Sequence, residues 1–132
     1  MSPARMAKVE SAMRVALAFR DAFNRHNVDA MMAILKDDCL FEAHHPAPDG
    51  LVINGKDAIS SYWHQYFENT SQAILDIEEI SGFGERCIMR WKLRWMDSHG
   101  NHCSLRGVYI IKTENDLVYE ILSYAKGFSP CQ

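Results

Sequence analysis

The sequence predicts an α+β fold in which helices from the first half pack onto an antiparallel sheet built by the second half. Three observations carry this. Apolar residues recur every three or four positions up to about residue 69, and they alternate every second position after about residue 73. Turns bearing Gly, Asn or Asp then cut the second half into four strands.

The first helix is expected from about Ala4 to Arg25, where Val9, Met13, Ala16, Phe19 and Phe23 form one buried stripe. Asn27 is a good N-cap for a short second helix, Val28 to about Leu35, with Asp29 favoured in its first turn by the helix dipole. Asp37 and Asp38 end it. Cys39 to His45 reads as a strand, since Leu40 and Phe41 are strong strand formers and Pro46 and Pro48 stop regular pairing just beyond. After a short extended piece, Leu51 to Ile53, Asn54 or Gly55 opens a third helix whose Ile59, Tyr62, Trp63, Tyr66 and Phe67 keep helical spacing as far as Asn69.

Four strands follow, at about 73–81, 85–97, 102–112 and 117–126, joined as a meander of hairpins. In the second of them Cys87, Met89, Trp91, Leu93 and Trp95 alternate with Arg90, Lys92 and Arg94, so one face is buried and the other is polar. Tight turns at Gly82–Gly84 and at Ser98–Asn101 place Asp76 opposite Arg90 and Trp91 opposite Gly107, where the indole lies over a residue without a side chain. Arg106 on the polar face is expected to pair with Glu78 or another acid.

A chain of 132 residues, 48% apolar and 23% charged, is the size of one domain, 1–132. Its formal net charge of −3 gives no basic footprint for nucleic acid. No apolar run reaches the ~18 residues of a membrane span and the start lacks a signal-peptide core, so the expected compartment is the cytoplasm. Cys39, Cys87, Cys103 and Cys131 stand far apart and read as free thiols. His99, His102 and Cys103 cluster in one hairpin, but adjacent His102 and Cys103 point to opposite faces of a strand, so no metal is expected. GxGxxG, P-loop, GxSxG and HExxH motifs are absent and no cofactor is expected.

Three stretches carry a family resemblance: Phe23-Asn24-Arg25-His26-Asn27-Val28-Asp29-Ala30 at the first helix junction, Ile53-Asn54-Gly55-Lys56-Asp57-Ala58-Ile59 at the start of the third helix, and Arg106-Gly107-Val108 with Leu122-Ser123-Tyr124-Ala125-Lys126-Gly127 on the last two strands. Over about Met6 to Gly127 the chain resembles the nuclear transport factor 2 like superfamily, in its SnoaL-like, polyketide-cyclase-like and ketosteroid-isomerase-like branch. The resemblance implies a cystatin-like α+β roll, a cone-shaped curved antiparallel sheet wrapped around three N-terminal helices. It also implies an apolar pocket between sheet and helices, and a homodimer through the outer sheet face.

The catalytic groups of a ketosteroid isomerase are not carried over. Its Tyr, its base and its protonated Asp fall at Phe19, Ala43 and Gly107 of this sequence, and none of these can move a proton. The family's pattern points Glu120, Leu122 and Tyr124 of the last strand inward and Tyr119, Ile121 and Ser123 outward. Glu120 is then the candidate base and Tyr124 a polar contact; of His44 and His45, which end the first strand and of which one can face inward, His45 shares the parity of Phe41 and Ala43 and is the second acid–base candidate. Phe19, Tyr62, Trp63, Met89, Trp91, Trp95, Tyr109 and Leu122 are the candidate walls of a ligand site. The expected function is binding, and conversion by general acid/base chemistry, of a small, largely apolar carbonyl compound. A non-catalytic ligand-binding or dimerisation module with a filled pocket is the alternative, since Trp91, Trp95, Phe19 and Phe67 are bulky.

Overall fold

A computed structural model describes residues 2–127. The element order is α1 (Pro3–Asn24), α2 (Val28–Ala33), β1 (Leu35–Ala43), β2 (Leu51–Asn54), α3 (Lys56–Asn69), β3 (Ser71–Phe83), β4 (Arg86–Met96), β5 (His102–Glu114) and β6 (Leu117–Lys126). Ser2 caps α1 by accepting from the Arg5 amide, and Asn27 caps α2 by accepting from the Ala30 amide. β1 begins four residues earlier than its composition suggests and stops at Ala43. Its parallel pairing with β6 starts already at Leu35↔Val118.

The six strands form one curved, unclosed sheet in the order β2-β1-β6-β5-β4-β3. α1 lies across β3, β4 and β5, α3 covers β1 and β2, and α2 links the two helices. Asn24, at the end of α1, fixes this packing: its side-chain amide donates to the Leu75 carbonyl and accepts from the Leu75 amide, at 3.1 and 2.7 Å. The helix-junction motif therefore acts as a clamp between α1 and β3.

Turn chemistry sets the hairpin registers. Asp97 holds the β4–β5 turn, its Oδ1 accepting from the amides of His99 and Asn101. The resulting register pairs Trp91 with Gly107, as expected, and a Cβ at Gly107 would stand 2.7 Å from the indole ring. Asn115 and Asp116 both take positive φ in the two-residue β5–β6 turn, the conformation its twist requires. The β3–β4 hairpin is shifted by two residues from expectation. Asp76 faces Lys92, and a bulge at Glu78 leaves Glu79 opposite Arg90.

A second bulge matters more. Thr113 pairs with Val118 and Lys112 with Glu120, so Tyr119 is an extra residue that shifts the parity along β6. Val118, Ile121 and Ser123 are buried on the inner face, while Glu120, Leu122 and Tyr124 lie on the outer one. The inward orientation expected for Glu120, Leu122 and Tyr124, and the outward one expected for Ile121 and Ser123, are thus both corrected.

A candidate site inside the cone

β1, β6, β5 and β4 are consecutive in the sheet, and their inner faces bring one row of polar and aromatic side chains together. His44 follows the last residue of β1, Ser123 lies on β6, Tyr109 pairs with Ser123 from β5, and Trp91 stands on β4. The Nδ1 of His44 is 2.8 Å from the Ser123 hydroxyl. The imidazole packs against the Trp91 ring at 5.8 Å, and Trp91 in turn meets Tyr109 at 5.2 Å.

From this row an aromatic network runs to the helices. Tyr109 meets Phe19 edge-on at 6.1 Å, Phe19 meets Trp63 at 6.3 Å, and Trp63 stacks on Phe41 at 5.5 Å. Tyr62 and Tyr66 pack on the other edges of Trp63. Phe19, Trp63, Met89, Trp91 and Tyr109 are all buried, so five of the expected wall residues do lie inside the cone.

The polar inventory of this interior is unusual. Thr113 and Ser123 are its fully buried polar residues, and among the described residues no Asp, Glu, Lys or Arg is fully buried. The indole nitrogens of Trp63 and Trp91 are buried without a hydrogen-bond partner among the described residues. Burial pushes the pKa of Tyr109 far up, and burial likewise raises those of Tyr62 and Tyr66. Burial, with a smaller contribution from neighbouring His45, pushes His44 down. At neutral pH the cone therefore holds neutral groups only: several N–H and O–H donors and one neutral imidazole.

Other expected site residues stand elsewhere. Glu120 bonds Lys112 at 2.7 Å on the outer face. Tyr124 is 53% exposed and Leu122 is half-buried beside it. His45 is exposed in the β1–β2 loop, because the strand whose parity aimed it inward ends at Ala43. His44 takes the inward place instead. Trp95 is half-buried at the far end of β4, where it lines an open cleft of about 460 Å³ with Ile74, Lys92, Arg94 and His102. A second cleft, of about 440 Å³, lies between α1 and the β5–β6 turn, where Ser11 donates to Asp116. Neither cleft is lined by His44, Trp91, Tyr109 or Ser123.

Ser123 was missed, and His44 was passed over in favour of His45, for identifiable reasons. No residue type announces the Tyr119 bulge, yet the alternation of β6 beyond it held a signal. Glu120, Tyr124 and Lys126 share one parity, whereas Ile121 and Ser123 share the other. The free-thiol reading also needs correction. Cys39 and Cys87 are buried and free, with burial pushing their pKa values up to about 12 and about 11. Cys103, in contrast, is disulfide-bonded, and Cys131 lies outside the described residues.

Comparison with known proteins adds to this geometry. The family model of the SnoaL-like domain matches residues 16–121. Among solved structures, an NTF2-like protein of unknown function from Mesorhizobium loti is 28% identical, with a TM-score of 0.76 over 91% of this chain and 94% of its own. A protein proposed to be a polyketide cyclase, from Xanthomonas campestris, is 20% identical, with a TM-score of 0.80 over 89% of this chain and 91% of its own. An epoxide hydrolase resembling LEH, from Mycobacterium tuberculosis, is 14% identical, with a TM-score of 0.79 over 92% of this chain and 87% of its own. The last two likenesses show the fold alone. No curated protein matches the chain.

Proposed function

The chain belongs to the SnoaL-like domain family, and from that premise we propose that it binds a small, largely apolar, carbonyl-bearing molecule inside the cone. One observation carries this reading: buried indole donors that find no acceptor among the described residues. A buried donor left unpaired costs about 1–3 kcal/mol, and folded chains seldom tolerate several together. A ligand carbonyl supplies the missing acceptor, and the aromatic walls supply apolar contact. A charged ligand would enter without a buried counter-charge, so the interior discriminates in favour of neutral molecules.

His44 is the proposed proton acceptor and donor of the site, replacing Glu120 and His45 in that role. Its half-buried ring stands at the end of β1, between solvent and the buried row. Proton transfer next to a carbonyl is the reaction such an imidazole supports, in line with the cyclase-like and hydrolase-like names carried by proteins of this fold.

Tryptophan fluorescence tests the reading. Titration with small neutral aryl ketones should change Trp emission and raise Tm, while the matching carboxylates and amines should do neither. Trp91→Phe, which removes the N–H and keeps a ring, should weaken ketone binding about tenfold, the worth of one buried hydrogen bond. If no ketone alters emission or Tm, the filled, non-catalytic cone stands instead.

The outer face supports a second proposal, a homodimer. Ile88 and Tyr124 are 47% and 53% exposed there, beside half-buried Val108, Ile110 and Leu122 and within a rim of charge. Such a patch suits a two-fold contact of roughly 800 Å² per partner. Sedimentation at micromolar concentration should show a dimer that Tyr124→Glu converts to monomer, and a wild-type monomer would refute it.

A further inference from the structure

We propose that Ser123 is a nucleophile, activated by His44, through which the cone accepts the acyl group of a small activated ester or thioester. This rests on the same interior site as the ligand reading, but it requires a covalent step that ligand binding does not.

The two fully buried aliphatic hydroxyl residues among the described residues behave differently. Thr113 spends its hydroxyl on the Glu85 carbonyl, a link within the fold. Ser123, 3% exposed, instead meets an imidazole nitrogen at 2.8 Å. That is the separation at which a general base takes a serine proton. Burial keeps the imidazole neutral, and in its Nε2–H tautomer the Nδ1 facing Ser123 accepts the hydroxyl proton. The Trp91 ring packed on the imidazole restrains its tilt, and the unpartnered Trp91 N–H is a donor in the same inner row for an oxygen that develops charge. Because no carboxylate is buried there, this Ser–His pair is the nucleophile-and-base arrangement the cone interior offers among the described residues.

The step balances within these groups. Ser123 Oγ attacks the acyl carbonyl carbon as its proton passes to His44 Nδ1. The tetrahedral intermediate then expels the alcohol or thiol, which carries that proton away, leaving an acyl-serine. Water completes the cycle: His44 takes its proton, the hydroxyl attacks the acyl carbon, and the proton returns to Ser123 as the carboxylic acid departs.

Incubation of the full chain with p-nitrophenyl acetate tests this, read by nitrophenolate release and by intact-mass and peptide mass spectrometry. A burst of nitrophenolate equal to the protein, with one acetyl group mapped to Ser123, is expected. Ser123→Ala should abolish the burst, and His44→Gln should slow it by at least about a hundredfold, the usual scale of a lost general base. Acetylation only at lysines, at exposed histidines or at no residue overturns the proposal, and the wild-type map alone decides this if a variant fails to fold. Ketone titration of the wild type separates the two readings. Ketone binding without acylation removes the nucleophile and leaves the ligand site, whereas the loss of both removes the site.

Discussion

On the outer face of the sheet each strand from β3 to β6 joins a lateral ion pair, Asp76 with Arg94, Glu78 with Arg106 and Glu120 with Lys112. On the inner face of the same strands no charged side chain is fully buried, and the Trp91 indole N–H stands without an acceptor, among the described residues. Alternation explains how one strand serves both faces, since β4 sends Arg90 and Arg94 outward while Met89 and Trp91 point in. The contrast teaches where sensitivity resides. Exposed ion pairs sit in water, which solvates either partner when the other is lost. The buried row has no such reserve, so a change there reaches packing, polarity and ligand binding together.

Trp91 breaks this contrast most strongly. Trp91→Ala should cost about 3–5 kcal/mol, because a fully buried indole touching His44 and Tyr109 leaves a cavity that its neighbours cannot fill. Trp91→Phe should cost much less, since the deleted N–H has no partner among the described residues to lose. Urea denaturation of both variants measures the difference, and equal losses would show that the indole nitrogen is engaged after all.

Gly107 comes next. Its missing Cβ would fall 2.3 Å from the Tyr124 carbonyl oxygen and 2.7 Å from the Trp91 ring. The carbonyl is backbone and cannot swing aside, so Gly107→Ala should destabilise by about 1–3 kcal/mol through overpacking. A blue or red shift of Trp emission should accompany the loss, because the indole is displaced. Unchanged Tm would show that β5 and β6 separate easily at this point.

How much of this was legible in the sequence depends on the element. The Trp91–Gly107 register was readable because Asp97 and Asn101 build a turn whose hydrogen bonds leave one register open. The first and third helices were readable from their apolar spacing, although Val9 and Met13 are half-buried rather than buried, and the second stops at Ala33 because Leu35 already pairs in β1. Asn24 and Ser123 were not readable, and of the two histidines ending the first strand, parity favoured His45 over His44, because the strand stops at Ala43. Asn24 acts on Leu75, 51 residues away, and no local pattern announces such a clamp. Ser123 was hidden by a single extra residue, Tyr119, since one inserted residue exchanges the two faces of a strand.

A smaller, pH-dependent effect sharpens the comparison. His44 is held below its ordinary pKa of 6.5 by burial, so in the folded state it resists the proton that the unfolded chain accepts. Its neutral-state stability is complete above 6.5 and is lost as pH falls from 6.5 to the lowered folded value, below which no further loss arises. Tm should decline across that window in the wild type, and His44→Gln should flatten the decline. An unchanged slope would place the proton uptake on another group.

The least effect belongs to Glu120, the residue the family pattern aimed into the pocket. Its carboxylate meets Lys112 at 2.7 Å, with side chains 25% and 21% exposed. Partial exposure admits water and salt, so the pair is worth no more than about 1 kcal/mol. Glu120→Gln keeps the shape and removes the charge, and Lys112 turns to solvent for what it loses. Tm should fall slightly in low salt, and the difference from the wild type should shrink in high salt as screening weakens the lost attraction. Ketone binding and acyl transfer should be unchanged, because β6 separates Glu120 from the inner face that carries Ser123. A large fall in either activity would mean that Glu120 reaches the site from the outer face, and His44 would then no longer serve as its sole proton carrier.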